Sequence, residues 1–172
     1  IFTQLKNDFD LYKMAMTYIY TTRGIPQVYY GTEILMEGPA DHGTLRADFP
    51  GGWNNDRVNA FEGTRLKNKQ KDAQSFTKKL LNWRKESLPI TKGQFIHFYP
   101  SGGVYIYFRK YKDELVMVLI NNNNKRKNIS TDRYFELLAN KEQGRSIMGN
   151  KVYDLTKEIN LPGKSALILE IN

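Results

Sequence analysis

The sequence is poor in the residues that most often carry redox or metal chemistry. It has no cysteine and only two histidines, His42 and His97, which lie far apart in the chain. Without cysteine the chain can form no disulfide, no thiol nucleophile and no cysteine-ligated zinc site. The two histidines do not have the i, i+4 spacing of a helical zinc motif. We therefore expect neither a metal site nor a cofactor.

Long apolar runs and strong charge clusters are also missing. No stretch approaches the roughly 20 apolar residues that a membrane-spanning helix needs. The formal net charge is +8, but the basic residues are spread over the whole chain and form only short runs such as Lys125–Lys127. This spread favours a solvated basic surface over a stripe that binds nucleic acid. We expect no membrane and no nucleic-acid partner, and a basic nucleic-acid binder is the least favoured alternative.

The first half of the chain has the pattern of an α/β fold. The residues from Asn7 to Arg23 are apolar on nearly every side, which predicts a buried helix that Asn7 or Asp8 caps and Gly24 ends. The short apolar run Ile25–Tyr30 then predicts a buried parallel strand. After a long irregular connection, a second amphipathic helix is predicted from Asp72, as its N-cap, to about Ser87.

The pattern changes near Pro89, where the apolar period drops towards two. Turn residues separate short segments rich in valine, isoleucine, tyrosine and phenylalanine, which is typical of an antiparallel sandwich. The predicted strands are Gln94–Tyr99, Val104–Lys112, Leu115–Asn122, Lys151–Asp154 and Ser165–Ile171. The segment Tyr134–Leu138 fits either a helical turn or a strand.

Three segments give the sequence a family resemblance. Residues Gly24–Glu33 read Gly-Ile-Pro-Gln-Val-Tyr-Tyr-Gly-Thr-Glu, which resembles the last barrel strand of α-amylase-family glycoside hydrolases. The continuation Asp41–Trp53 is similar to the cyclomaltodextrinase and neopullulanase branch, especially its Bacteroidetes members. The ending Ser165–Glu170 resembles the last strand of the C-terminal sandwich in that family.

The resemblance implies a fold and an activity. It predicts an α+β fragment, in which residues 1–88 are the end of a (β/α)8 barrel (helix seven, strand eight, a long loop and helix eight) and residues 89–172 are the C-terminal antiparallel β-sandwich. The chain's 172 residues are fewer than the roughly 250 of a whole barrel. The parent would be a retaining hydrolase of maltooligosaccharides, cyclodextrins or pullulan-type substrates.

The resemblance also implies what the chain lacks. The family's three catalytic carboxylates would all lie upstream of Ile1, so we name no catalytic residue and expect the chain alone to be inactive. The expected partners are an α-glucan, the missing N-terminal portion of the barrel and, through an unpaired strand, a second copy. The relatives suggest the periplasm or cell envelope as the location. The alternative function is a non-catalytic carbohydrate-binding or structural module.

Five residues are candidates for a role in the parent's sugar site. Asp41 and Arg46 resemble an Asp–Arg pair that contacts sugar, and their alternative is a loop-stabilising ion pair. Trp53 could stack on a pyranose ring or anchor its loop against the barrel rim. Glu33 and Tyr30, at the carboxyl end of the predicted strand, would support the catalytic face or serve only in structure.

A second aromatic set lies in the predicted sandwich. Tyr105, Tyr107 and Phe108 could form a face that binds starch. Since aromatic residues are favoured in strands for packing alone, we favour the packing interpretation.

Overall fold

The computed structural model of the chain describes residues 1–38 and 46–171. Its α-helices are α1 (Phe9–Thr21), α2 (Asn68–Glu86), α3 (Leu88–Lys92) and α4 (Phe135–Leu138). Its strands are β1 (Gln94–His97), β2 (Val104–Tyr111), β3 (Glu114–Asn121), β4 (Lys127–Ile129), β5 (Gln143–Ser146), β6 (Val152–Asp154), β7 (Ile159–Leu161) and β8 (Ser165–Ile171). None of the helices in this part of the chain has the length and apolar character that a bilayer crossing requires.

Every strand pair is antiparallel. Six strands form one sheet in the order β1-β2-β3-β8-β5-β6, and β4 pairs with β7 in a separate two-stranded ribbon. The centre is the long β2-β3-β8 block, in which Tyr107 lies opposite Val118 and Val118 opposite Ile168. The sheet and the ribbon fit the expected antiparallel sandwich.

The alternating side chains of the central strands make two cores. On β3, Leu115, Met117 and Leu119 face the ribbon and α4, whereas Val116, Val118 and Ile120 face the long helices. Successive strand residues point to opposite faces, so a strand that is buried throughout must be covered on both sides. The sheet is therefore the middle layer between helices and ribbon.

The same alternation contradicts the aromatic face considered for starch binding. Tyr107 and Phe108 are both fully buried. Tyr107 packs in the core on the helix side and Phe108 in the core on the ribbon side. Neighbouring residues of a strand cannot present one surface, so the packing interpretation of these aromatics is the correct one.

Helix α1 packs against α2 and against β8. Its buried side chains Tyr12, Met16 and Tyr20 share one apolar core with Leu80 of α2 and Ile90 of α3. The start of α1 is as predicted, because the Asp8 carboxylate accepts hydrogen bonds from the backbone N–H groups of Asp10 and Leu11 at 2.9 and 3.0 Å. The N-terminal helix thus covers the sandwich sheet.

The start of α2 differs from the prediction. The helix begins at Asn68, so Asp72 lies in its second turn and is not its N-cap. The Gln70 side chain accepts a hydrogen bond from the Lys67 backbone N–H at 3.1 Å, and this bond satisfies one of the free N–H groups at the helix start. The predicted acidic N-cap is therefore wrong: the N-cap is Lys67, and the first turn of α2 contains no acidic residue.

The predicted buried strand Ile25–Tyr30 is wrong for this chain. The segment forms no strand, and the Ile25 side chain is 98% exposed. A parallel strand needs neighbours to take up its backbone hydrogen bonds, and no described strand lies beside this one. The segment is therefore irregular and exposed although its composition suits a sheet interior.

Candidate functional site

The described part of the connection before α2 forms a lobe with a small core of its own. Ile34, Ala60 and Leu66 are buried together, and Met36, Phe49 and Val58 pack against them. Asn59 and Thr64 exchange backbone hydrogen bonds of 3.0 and 2.8 Å. The side chain of Gln74 on α2 donates to the Ala60 carbonyl at 2.8 Å. The lobe is therefore fixed to α2 and can hold side chains in defined positions.

Trp53 is the most prominent side chain of this lobe. Its ring is 67% exposed, yet its indole Nε1 donates to Asp48 Oδ2 at 3.2 Å. The backbone N–H groups of Gly51 and Trp53 donate to Asp56 Oδ2 at 2.7 and 3.2 Å. One carboxylate thus orients the indole and another holds the turn, so that an aromatic face is presented to solvent. Such a face can pack against the apolar face of a sugar ring.

Tyr29 and Tyr30 form the second aromatic element of the site. Their ring centroids are 4.7 Å apart, and the Tyr30 hydroxyl donates to the Ala47 carbonyl at 3.0 Å. Desolvation, the hydrogen bond with Tyr29 and the negative charge of Asp48 raise the pKa of Tyr30, while the positive charge of Arg46 lowers it. The charges of Asp48 and Arg46 thus both act on Tyr30, and Asp48 also accepts the hydrogen bond from the Trp53 indole.

Glu33 lies on the other side of this segment, in the short 3-10 turn Thr32–Ile34. Its charge acts on Tyr12 and Tyr20 of α1, whose pKa values are raised mainly by burial and to a smaller degree by Glu33. No hydrogen bond in the described part of the chain joins Glu33 to Tyr30, Arg46 or Trp53. The charge of Glu33 thus acts on the buried tyrosines of α1, and no hydrogen bond in the described residues links Glu33 to the exposed side chains of Tyr30 and Trp53.

A cavity of about 300 Å³ adjoins the tyrosine pair. Tyr29, Tyr30 and Thr32 line one side of it, and the N-terminal residues line the other; the remaining lining residues include Gly31, Met36, Glu37 and Gly38. Asp41, the proposed partner of Arg46, lies outside the described residues, so their pairing stays a prediction. Among residues 1–38 and 46–171, no group of three or more His, Asp or Glu side chains is placed to hold a metal ion.

Sequence reasoning missed the two carboxylates that build the site. Asp48 orients the Trp53 indole, and Asp56 holds the backbone of the turn. The hydrogen bonds of both aspartates depend on how residues 48–56 fold back on themselves. No periodicity or motif in the sequence encodes that loop conformation. An aspartate on either side of an isolated Gly-Gly-Trp was the only available signal.

Comparison with known proteins places the sandwich in a family. Residues 95–170 match the family model described as the cyclo-malto-dextrinase C-terminal domain. The chain is 31% identical over 144 residues to a cyclomaltodextrinase of Thermoanaerobacter pseudethanolicus, which covers 82% of this chain and 22% of that protein. It is 29% identical over 108 residues to a cyclomaltodextrin glucanotransferase of Geobacillus stearothermophilus, covering 63% of this chain and 13% of that protein.

Solved structures show the same fold. The α-amylase of Geobacillus thermoleovorans, complexed with acarbose, matches 97% of this chain with a TM-score of 0.69 and 26% identity. The match covers 34% of the amylase chain. The chain therefore spans about a third of this solved relative and about a fifth of the cyclomaltodextrinase.

Proposed function

Since the chain belongs to the α-amylase family and carries that family's C-terminal domain, we propose that it is the C-terminal part of a retaining α-glucan hydrolase. Its substrates would be maltooligosaccharides, cyclodextrins or pullulan-type glucans. Residues 1–88 would complete the (β/α)8 barrel, and residues 89–172 would form the sandwich that supports it. The names of the relatives and the acarbose bound to the solved amylase support this substrate class.

The oriented, exposed ring of Trp53 is the observation that carries the proposal. The active site of a barrel enzyme lies at the carboxyl ends of its strands and is built from the loops that follow them. The lobe with Trp53 follows the segment that resembles the last strand, and Tyr30 and Arg46 lie in the same cluster. Trp53 would stack on a glucose unit, while the Arg46 guanidinium, with Asp41, would bind its hydroxyls.

The exposure of the segment Ile25–Tyr30 supports the proposal that neighbouring barrel strands normally cover it. In a barrel, a strand of this composition is buried between two parallel neighbours. Here the Ile25 and Val28 side chains are exposed, and no backbone N–H of residues 25–28 bonds to another described residue. The upstream portion of the barrel would supply the neighbouring strands together with the catalytic carboxylates.

The chain by itself is expected to cleave no glycosidic bond. Retention requires two carboxyl groups roughly 5–5.5 Å apart on rigid strand ends, and the resemblance puts both outside this chain. The assay is reducing-sugar release from maltooligosaccharides, pullulan and cyclodextrin, with a complete cyclomaltodextrinase as the positive control. Turnover above the blank would refute the proposal of an inactive fragment.

Binding of glucan to the Trp53 cluster can be measured separately from hydrolysis. We expect Trp53→Ala to weaken the binding of maltoheptaose by about fivefold or more, because a stacked aromatic contributes about 0.5–1.5 kcal/mol beyond its buried area. Isothermal titration gives the affinity. Phe61→Ala is the matched control, because Phe61 is 72% exposed on the same lobe. Equal losses in both variants, or no binding by the unaltered chain, would remove Trp53 from the proposed site.

A non-catalytic carbohydrate-binding module is the second candidate, since an exposed, oriented tryptophan serves binding as well as catalysis. Coding DNA upstream of Ile1 separates the two. A barrel-encoding sequence in frame with this chain supports the hydrolase, and an unrelated sequence supports the module.

A further inference from the structure

A second cavity of about 240 Å³ opens on the ribbon side of the sheet, the face opposite α1, α2 and α3. It lies where β2 meets β4 and the 3-10 turn Asp132–Tyr134. Val104, Ile106 and Ile129 give it an apolar floor, and Phe98 and Tyr99 stand at one side. Its volume is below the roughly 300–1,000 Å³ of sites for drug-sized ligands, and it suits a ligand with one ring.

The Arg133 guanidinium is held in position at this groove. Its Cζ atom lies 5.6 Å from the centroid of the Phe98 ring, and Phe98 in turn packs edge-on against Tyr134 with centroids 4.7 Å apart. Arg133 forms no ion pair with an acid in the described ranges. A guanidinium over an aromatic face keeps its N–H edge free, and that edge binds a carboxylate with two parallel hydrogen bonds.

The other polar groups of the groove are also mainly donors. Lys127 contributes an ammonium group. The Asn128 side-chain oxygen already accepts a hydrogen bond from Asn160 at 2.7 Å, which leaves its amide N–H groups available. Tyr134 is 6% exposed, and its hydroxyl bonds to no other residue in the described portion. Burial raises the pKa of Tyr134, so that this hydroxyl keeps its proton.

No aspartate or glutamate is among the described residues that line the groove. The nearest acid along the chain, Asp132, accepts a hydrogen bond from the Ser130 hydroxyl at 2.7 Å within its own turn. The lining is therefore positively charged and rich in donors, with an apolar floor and an aromatic edge. It complements an anion that carries a ring.

We propose that this groove binds an acidic monosaccharide unit. The carboxylate of the sugar lies against the Arg133 fork, with Lys127 and the Asn128 amide as additional donors. The pyranose ring packs against Tyr99, whose side chain is 83% exposed at the rim. Nothing in this proposal depends on the glucan chemistry proposed for the Trp53 cluster.

The contributions of the carboxylate and of the sugar ring can be measured separately with three ligands. Each ligand is titrated into the 172-residue chain, and binding is followed by heteronuclear NMR. Glucuronate and glucose differ only in the carboxylate at C6, and acetate supplies a carboxylate without a ring. We expect glucuronate to bind at least tenfold more tightly than either, with shifts at the Asn128 side-chain amide, and to bind more weakly as salt rises. Glucose binding as well as glucuronate would overturn the role of charge, and acetate binding as well would overturn the role of the ring.

Two pairs of variants locate the site. Arg133→Gln should weaken glucuronate binding at least tenfold, whereas Arg126→Gln, the same change of charge outside the groove lining, should leave it unchanged. Tyr99→Ala should weaken it severalfold, whereas Phe135→Ala, an exposed aromatic that does not line the groove, should not. All four side chains are exposed, so the NMR spectrum should show an intact fold in each variant. Equal effects within either pair would place the site elsewhere.

Discussion

At the scale of single residues, one buried tyrosine joins the sheet to the helices. The Tyr107 hydroxyl lies 2.5 Å from the Thr21 hydroxyl, which donates in turn to the Thr17 carbonyl at 2.6 Å. Burial is the main reason that the pKa of Tyr107 is raised above 10.0. Tyr20, also buried, has its pKa raised to about 12. Both side chains are therefore more easily ionised in the unfolded chain than in the folded one.

This difference predicts a loss of stability at alkaline pH. A folded pKa above the unfolded value contributes stability that is complete below about pH 10 and is lost as pH rises through the folded pKa. We expect the free energy of unfolding, measured with urea, to fall between about pH 10 and about pH 12.

Tyr107→Phe should make that fall shallower because it removes one ionisable group. Tyr99→Phe is the control, since Tyr99 is exposed and should leave the slope unchanged. The same slope in all three proteins would contradict the assignment of the alkaline effect to the buried tyrosine.

At the scale of elements, Arg109 ties α3 to β2. Its side chain is 3% exposed. It donates to the carbonyls of Pro89, Ile90 and Gly93 at 3.2, 2.8 and 2.9 Å. These carbonyls lie at the end of a one-turn helix, where no further turn follows to bond them. The Pro89 carbonyl also accepts the Gly93 backbone N–H at 3.0 Å, so the guanidinium matters most as the donor to the Ile90 and Gly93 carbonyls.

We expect Arg109→Met to destabilise the chain by about 2–4 kcal/mol, because it leaves those carbonyls unsatisfied. Arg109→Lys should recover only part of the loss, since a single ammonium lacks the fork that reaches separate acceptors. Urea unfolding measures the change. Lys110→Met on the same strand is the control, because Lys110 is exposed and should be nearly neutral. A neutral Arg109→Met would mean that water or the backbone replaces the guanidinium.

Sequence predicted the long elements better than the short ones. Strands β2, β3 and β8 have eight, eight and seven residues, and their apolar side chains gave a clear signal. Strands β4 and β7 have three residues each and β5 has four, and β5 reads Gln-Gly-Arg-Ser. Such short strands are specified by their partners and not by their own pattern. The same dependence on partners explains the error at Ile25–Tyr30. The open choice at Tyr134–Leu138 is settled as helical.

The candidate site was predictable only in part. The motif pointed to Tyr30, Arg46 and Trp53; in the structure Trp53 donates to Asp48, and the charges of Asp48 and Arg46 act on Tyr30. Asp48 and Asp56 were not foreseen, because their roles follow from a loop conformation that no repeat encodes. The cluster's contact with sugar is still a prediction.

At the scale of the whole molecule, the segment Ile25–Tyr30 is an exposed apolar surface on an otherwise well-packed chain. Ile25 and Val28 are 98% and 38% exposed. The residues before and after the segment are held in place, for example by Arg84, which donates to the Gly24 carbonyl at 2.8 Å. No backbone N–H of residues 25–28 bonds to another described residue, and an exposed apolar stretch of this kind is a template for association.

We therefore expect the chain to associate as its concentration rises. Sedimentation velocity should show a sedimentation coefficient that increases with concentration, and Ile25→Lys combined with Val28→Lys should suppress the increase. Val152→Lys, at another exposed valine, is the control. A monomer at every concentration, or equal suppression by the control, would contradict this route of association.

Because both faces of the sheet are covered, the part of the chain that folds as one unit must include the helices before the sheet. The match to the family model starts at residue 95, but Val116, Val118 and Ile168 are shielded by side chains from α1, α2 and α3, all of which precede it. A protein trimmed to residues 95–170 would expose the apolar side chains on that face of the sheet. We expect such a protein to aggregate. The stretch that the family model matches is therefore smaller than the unit that can fold with both faces of its sheet covered.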